Sequence, residues 1–87
     1  MSRGKTHELK TWPEHWRCVE VGWKTFEVRK DDRGGFEVGD VLALHEYRPD
    51  SEEYTGRVCF RRVTHVLTGG QFGVEAGYVV LSLSMKV

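Results

Sequence analysis

The stretch Gly22-Trp23-Lys24-Thr25-Phe26-Glu27-Val28-Arg29 decides how this chain folds, because the sequence changes period inside it. Upstream, Trp12, Trp16, Val19 and Trp23 recur at intervals of four, three and four, the spacing of one helix face. Gly22 is the natural stop, since glycine accepts the left-handed backbone that ends a helix. Downstream, Phe26 and Val28 alternate with Thr25, Glu27 and Arg29, the period-two signature of a strand over residues 24–30. The helix start is read at Thr11-Trp12-Pro13-Glu14, with Thr11 as the cap and Glu14 completing a capping box. Pro13 opposes part of this reading, because the residue before a proline avoids helical backbone and Trp12 then falls outside.

Working outward, a short extended segment is read over residues 6–10 and a polar loop over 31–35. The Gly39-Asp40 turn leads into a strand at 41–47, and Pro49-Asp50-Ser51 mark a turn across 48–53. A long strand follows over 55–67, with a bend expected at Arg61-Arg62, where the alternation falters. Residues 69–73 form a glycine-rich loop, in which Phe72 either stacks on a ligand or folds back as a core plug. The last strand, 78–85, carries Val79, Leu81, Leu83 and Met85 on its apolar face. The expected fold class is mainly β (α+β), a mostly antiparallel sheet of about five strands closed into a small barrel with one N-terminal helix packed against it. Closure is expected because it removes exposed edges.

The 87 residues fit a single domain, 1–87. So short a chain buries only about 60% of its unfolded surface, and three Trp and four Phe carry much of that burial. Thirteen basic residues balance thirteen acidic ones, which excludes a protein that holds nucleic acid by bulk charge and leaves room for a local basic cleft. The charge is weakly segregated: eight Lys/Arg stand against six Asp/Glu through Arg33, whereas residues 46–53 are acidic. Cys18 and Cys59 form no CxxC pair, and the four histidines, His7, His15, His45 and His65, have no metal-ligand spacing, so neither metal nor cofactor is expected. No apolar run reaches the roughly 20 residues of a membrane span, and residues 1–10 lack the apolar core of a signal peptide, which points to a cytoplasmic protein without a membrane partner.

The candidate site is the strand that follows Gly22. Glu27 and Arg29 fall about 7 Å apart on one strand face, and Lys24 stands at its entrance. Arginine offers a flat bidentate fork, lysine a point charge and glutamate an acceptor for amino groups, a set that suits a phosphate or a polar base edge. Lys30 and Arg33 lie where they can reach a backbone phosphate, and Gln71 offers hydrogen bonds from the glycine-rich loop. The competing reading is a solvated strand face, where such charges alternate without function. Arg57, Arg61 and Arg62 pose the same choice between a basic stripe and a solvent face.

The run Gly22-x-Lys24-Thr25-x-Glu27-x-Arg29, followed by Phe36-x-Val38-Gly39-Asp40-x-Leu42, resembles the ASCH domains of the PUA-like superfamily. With His7-Glu8-Leu9-Lys10, Glu46-Tyr47, Tyr54-Thr55-Gly56-Arg57, Gly70-Gln71-Phe72-Gly73 and Gly77-Tyr78-Val79-Val80, it is similar to a short branch of stand-alone bacterial and phage domains. The resemblance covers residues 7–83 and implies a β-barrel with a cleft beside the helix–strand junction. It also implies binding of RNA or a nucleotide there, with Lys24, Thr25, Glu27, Arg29 and Lys30 as the site and His7 and Gln71 as its neighbours. One ASCH branch is enzymatic and hydrolyses the acetyl amide of N4-acetylcytidine, using a lysine, a threonine three positions later and a distant glutamate. In this chain Lys24 matches, Glu27 replaces that threonine, Thr25 is adjacent, and Glu75 is a poor stand-in for the distant glutamate. If the chain is an enzyme, Lys24 and a buried Glu27 acting as base are the catalytic pair. Three functions therefore stand: an RNA- or nucleotide-binding domain, a small amidohydrolase acting on a modified nucleoside, and a protein-interaction module using an exposed Trp12.

Overall fold

The computed structural model describes residues 4–31 and 35–85; Arg33, a candidate phosphate contact, lies outside the described residues. The alternating segments form five strands, β1 (Thr6–Thr11), β2 (Phe26–Lys30), β3 (Val41–Arg48), β4 (Glu53–Thr68) and β5 (Tyr78–Leu83), with one helix, α1 (Pro13–Glu20), between β1 and β2. They make a single sheet in the order β1-β3-β4-β5-β2. β1 runs parallel to β3, and the other three ladders are antiparallel. The sixteen-residue β4 serves two ladders: its residues up to Arg62 face β3, and those from Val63 onward face β5. A bulge between Val63 and His65 marks the handover, next to the bend read at Arg61-Arg62.

The expected barrel does not close. β1 and β2 are the two ends of the strand order, and no ladder joins them. The Arg29 side chain stands between them instead: its NH2 donates to the Lys10 carbonyl at 2.9 Å and to Thr11 Oγ1 at 3.3 Å. Contact between these edges thus runs through a side chain and not through a backbone ladder.

The helix start also differs from the capping box read at Thr11. Thr11 is the last residue of β1 and is buried. Trp12, extended at φ −64° and ψ 149°, is the N-cap and has no side-chain cap bond. Pro13 explains both, since it bars Trp12 from helical backbone and opens the first turn without needing an N–H of its own. At the other end Gly22 takes φ 89°, and the N–H groups of Trp23 and Lys24 both reach the Cys18 carbonyl at 2.9 Å. This glycine turn ends α1 and aims the chain into β2.

Only part of the expected aromatic face is buried. Trp16 and Val19 enter the core, and Trp16 Nε1 donates to the Leu44 carbonyl at 2.8 Å. Trp12 and Trp23 flank the eight-residue helix and stay 53% and 85% exposed. The core is completed by Leu42 and Leu44, Cys59 and Val63, and Val79, Leu81 and Leu83. Met85 lies beyond β5 and is exposed, so the apolar face of the last strand ends at Leu83. Phe72 is no core plug: it stands exposed at φ 53° in a turn closed by a Gln71–Val74 bridge.

Trp16→Ala is expected to cost about 3–5 kcal/mol, or to unfold the domain, whereas Trp23→Ala stays within about 0.5 kcal/mol. Urea denaturation of the two variants checks this, and equal losses would show that Trp23 is packed after all.

Candidate functional site

β2 turns the expected solvated face inside out. Its register pairs Glu27 with Leu81 and Arg29 with Val79, two core residues of β5, so the charged parity of the strand points inward. Glu27 is 3% exposed, while Phe26 and Val28 are 44% and 52% exposed. A carboxylate so placed must be paired, because leaving it unpaired in the interior costs several kcal/mol. Lys24 Nζ donates to Glu27 Oε2 at 2.6 Å, and Arg29 donates to Oε1 through Nε at 3.2 Å and NH2 at 3.0 Å. Lys24 also lies over the Phe26 ring, 5.1 Å from its centre. The structure thus joins Lys24, Glu27 and Arg29 in one cluster, and the same Arg29 NH2 ties that cluster to β1. Both Glu27 oxygens accept from these cations, which engages the acid–base pair internally.

Beside the cluster an open groove of about 1030 Å³ follows the β1 side of the seam. His7, Lys10, Arg29 and Lys30 bring cationic or titratable groups to it, and Phe36 and Tyr54 bring aromatic rings. Of the residues read from sequence, His7, Arg29 and Lys30 line this groove, whereas Lys24, Thr25, Glu27 and Gln71 do not. Thr25 is exposed, and its carbonyl accepts from the Leu83 N–H. The Gln71 amide is engaged within its own hairpin, donating to the Thr68 carbonyl at 2.9 Å. The arginines of the basic stripe hold backbone and core groups: Arg61 bonds the Val19 and Glu20 carbonyls at the end of α1, Arg62 the Gly39 carbonyl, and Arg57 lies 3.4 Å from Glu46.

The burial of three polar residues escaped the sequence reading. Thr11 accepts from Arg29. Glu46, 3% exposed, accepts from Thr55 Oγ1 at 2.7 Å. Asp40, 1% exposed, accepts from the Lys5 N–H and the Glu37 N–H, each at 2.9 Å, and from His7 Nε2 at 2.8 Å. Parity held the signal, since Glu46 lies in step with Leu42 and Leu44 on the inward face of β3, and Asp40, the residue just before the strand, keeps the same parity. The Asp40 clamp needs close backbone approach: Gly4, at φ 75°, sits where a Cβ would come 2.5 Å from the Gly39 carbonyl oxygen. Burial by itself raises the Asp40 pKa, but the His7 hydrogen bond, the two backbone N–H bonds and the His7 charge outweigh it, so the carboxyl titrates below its ordinary 3.8. Among the described residues no group of three or more His, Cys, Asp or Glu can hold a metal. Both cysteines are free, and burial pushes the Cys59 thiol up, away from a nucleophilic thiolate. No helix among the described residues is long and apolar enough to cross a membrane.

Two outcomes follow from these pairs. Glu27→Ala leaves Lys24 and Arg29 half-buried and unpaired and is expected to cost about 3 kcal/mol, more than Lys24→Met alone, in urea denaturation. For Asp40, the depressed pKa makes the folded state the weaker proton binder. Its contribution to stability is therefore complete above the unfolded-chain value of 3.8 and is lost as pH falls through the lower folded value. Asp40→Asn is expected to cost about 1–3 kcal/mol at neutral pH and to flatten the acid limb, so that wild type and variant converge as pH falls through the lowered folded value; parallel curves would refute the clamp.

Comparison with known proteins places these features. No curated protein matches the chain. Among solved structures, an ASCH protein from Zymomonas mobilis (ZmASCH, crystallised as a serine-to-alanine mutant) superposes with a TM-score of 0.67 at 17% identity, covering 97% of this chain and 70% of that one. That likeness shows an ASCH/PUA-like fold. Matched over residues 6–83, the chain belongs to the family described as "Domain of unknown function (DUF3850)".

Proposed function

We propose that this domain binds RNA or a nucleotide in the groove along the β1–β2 seam. One observation carries the reading: the open edge of the sheet gathers Lys10, Arg29 and Lys30 with His7, Phe36 and Tyr54 around one groove, on a chain whose net charge is zero. Cations there contact phosphate and exposed rings offer a stacking surface for a base. Arg29 is anchored through Nε and NH2 by Glu27, Thr11 and the Lys10 carbonyl, so it holds a fixed positive charge with NH1 left to donate, while exposed Lys10 and Lys30 supply adjustable charge. The ASCH/PUA-like fold supports the reading as an analogy of architecture. A protein-interaction module is the second reading, favoured by the exposure of Trp12 and Trp23.

Fluorescence anisotropy with a labelled single-stranded RNA, competed by free nucleotides, tests the first reading. Lys30→Ala and Lys10→Ala are each expected to weaken binding about three- to tenfold near 0.1 M salt and to lower the salt slope by about one per lost phosphate contact. Wild-type affinity in both variants would remove the groove from consideration. Loss of a protein partner in Trp23→Ala, with RNA and nucleotides inert, would favour the second reading.

A further inference from the structure

The groove wall contains a histidine whose protonation pattern is fixed from behind. Three donors meet on the buried Asp40 carboxylate: the Lys5 N–H on Oδ1, and the Glu37 N–H and His7 Nε2 on Oδ2. An ionised carboxylate only accepts, so His7 Nε2 carries a hydrogen and, in the neutral ring, Nδ1 is a bare acceptor. The backbone donors hold Asp40 in place, and the Phe36 ring packs on the imidazole with centroids 4.4 Å apart, which fixes its tilt. Nδ1 has no hydrogen-bond partner among the described residues, and none of their fully buried side-chain nitrogens or oxygens lacks one, so Nδ1 is not fully buried, and the ring that carries it lines the groove. The His7 side chain is 15% exposed, enough for contact and too little for free solvation.

We propose that His7, oriented by Asp40, is the base-selecting residue of the groove, taking nucleotides whose base offers an exocyclic amine (cytosine or adenine) over those that offer a carbonyl at that edge (uracil or hypoxanthine). The inference rests on the nucleotide-binding reading and names its ligand class. A bare ring nitrogen accepts a hydrogen bond from an amine and meets a carbonyl oxygen as lone pair against lone pair, so the amine-bearing member of each pair binds better. Lys10 and Lys30 then take the phosphate common to both members, which places the discrimination at His7.

Isothermal titration of the intact domain with CMP against UMP, and AMP against IMP, reads the preference directly. Wild type is expected to favour CMP and AMP by about five- to tenfold. His7→Gln is the informative variant: its amide NH2 still donates to Asp40, while its one acceptor, the amide oxygen, lies a bond farther along the side chain than Nδ1 and does not take that ring position. It should keep the thermal midpoint and bring each pair within about twofold. A pH series adds a readout that a structural role would not move. Protonation turns Nδ1 into a donor, so the wild-type CMP/UMP ratio falls toward one on acidification, and the His7→Gln ratio stays flat. Among the described residues, the other charged groups around the ring are Asp40, with Lys5 and Glu37 bonded to it through their backbone N–H groups, and Glu8, Lys10, Arg29 and Lys30 along the groove, with His45 paired to Glu8; His45→Gln should leave the pH response intact. Equal affinity for CMP and UMP in wild type, or a preference that survives His7→Gln, overturns the assignment and leaves nucleotide binding standing. Absence of binding by any nucleotide or RNA overturns both.

Discussion

The Arg29 guanidinium between two strand edges is the contact on which the rest of the site depends. It bonds Glu27 on its own strand and reaches Lys10 and Thr11 on the opposite edge of the sheet. A ladder there would have closed the barrel and consumed both edges in backbone hydrogen bonds. A side chain there joins the edges at one point and leaves them open elsewhere, and the open length is the groove. The unclosed sheet and the candidate site are thus linked: Arg29 reaches across the unpaired edges and also lines the groove beside them.

Placing charge on the inner face of β2 has an energetic consequence. Two apolar residues, Phe26 and Val28, are left facing solvent while Glu27 is taken out of water. Turning the strand over would bury the apolar pair and expose the charges, with little change to the backbone ladder. The observed arrangement holds because Glu27 is fully matched by Lys24 and Arg29, and because Arg29 fastens β1 in the same stroke. A buried ion pair is a weak source of stability by itself, often no better than an apolar replacement. Its retention here is best understood through what it positions, namely a fixed cation at the rim of an open groove.

The elements were legible in the sequence because they rest on local signals. The period change at Gly22, the proline beside Trp12 and the faltering alternation at Arg61-Arg62 correspond to the α1–β2 junction, the helix start and the β4 handover. The cluster of Lys24, Glu27 and Arg29 was legible as a group, since strand geometry alone puts the last two side by side. Which way that face points was not, because period two carries no sign: the pattern of β2 is the same with either face inward. Closure was also beyond reach, since it turns on one arginine meeting residues far away in sequence. The buried acids were partly legible, as Asp40 and Glu46 share the parity of Leu42 and Leu44. Composition argues against burying acids, though, and only their distant partners make it tolerable.

The division of labour among the cations follows from how each is held. Arg57, Arg61 and Arg62 contact Glu46, the end of α1 and the Gly39 turn, so this basic run contributes to architecture. Lys24 is closed on Glu27. Among the described residues, the groove itself is lined by Lys10 and Lys30 with Arg29, a small positive set compared with what non-specific nucleic-acid binding employs. A groove with so few cations cannot hold RNA by charge alone, and its selectivity must come from hydrogen bonds and ring contacts. This is why a histidine with a fixed tautomer, packed on Phe36 and anchored by a buried carboxylate, matters more here than another lysine would.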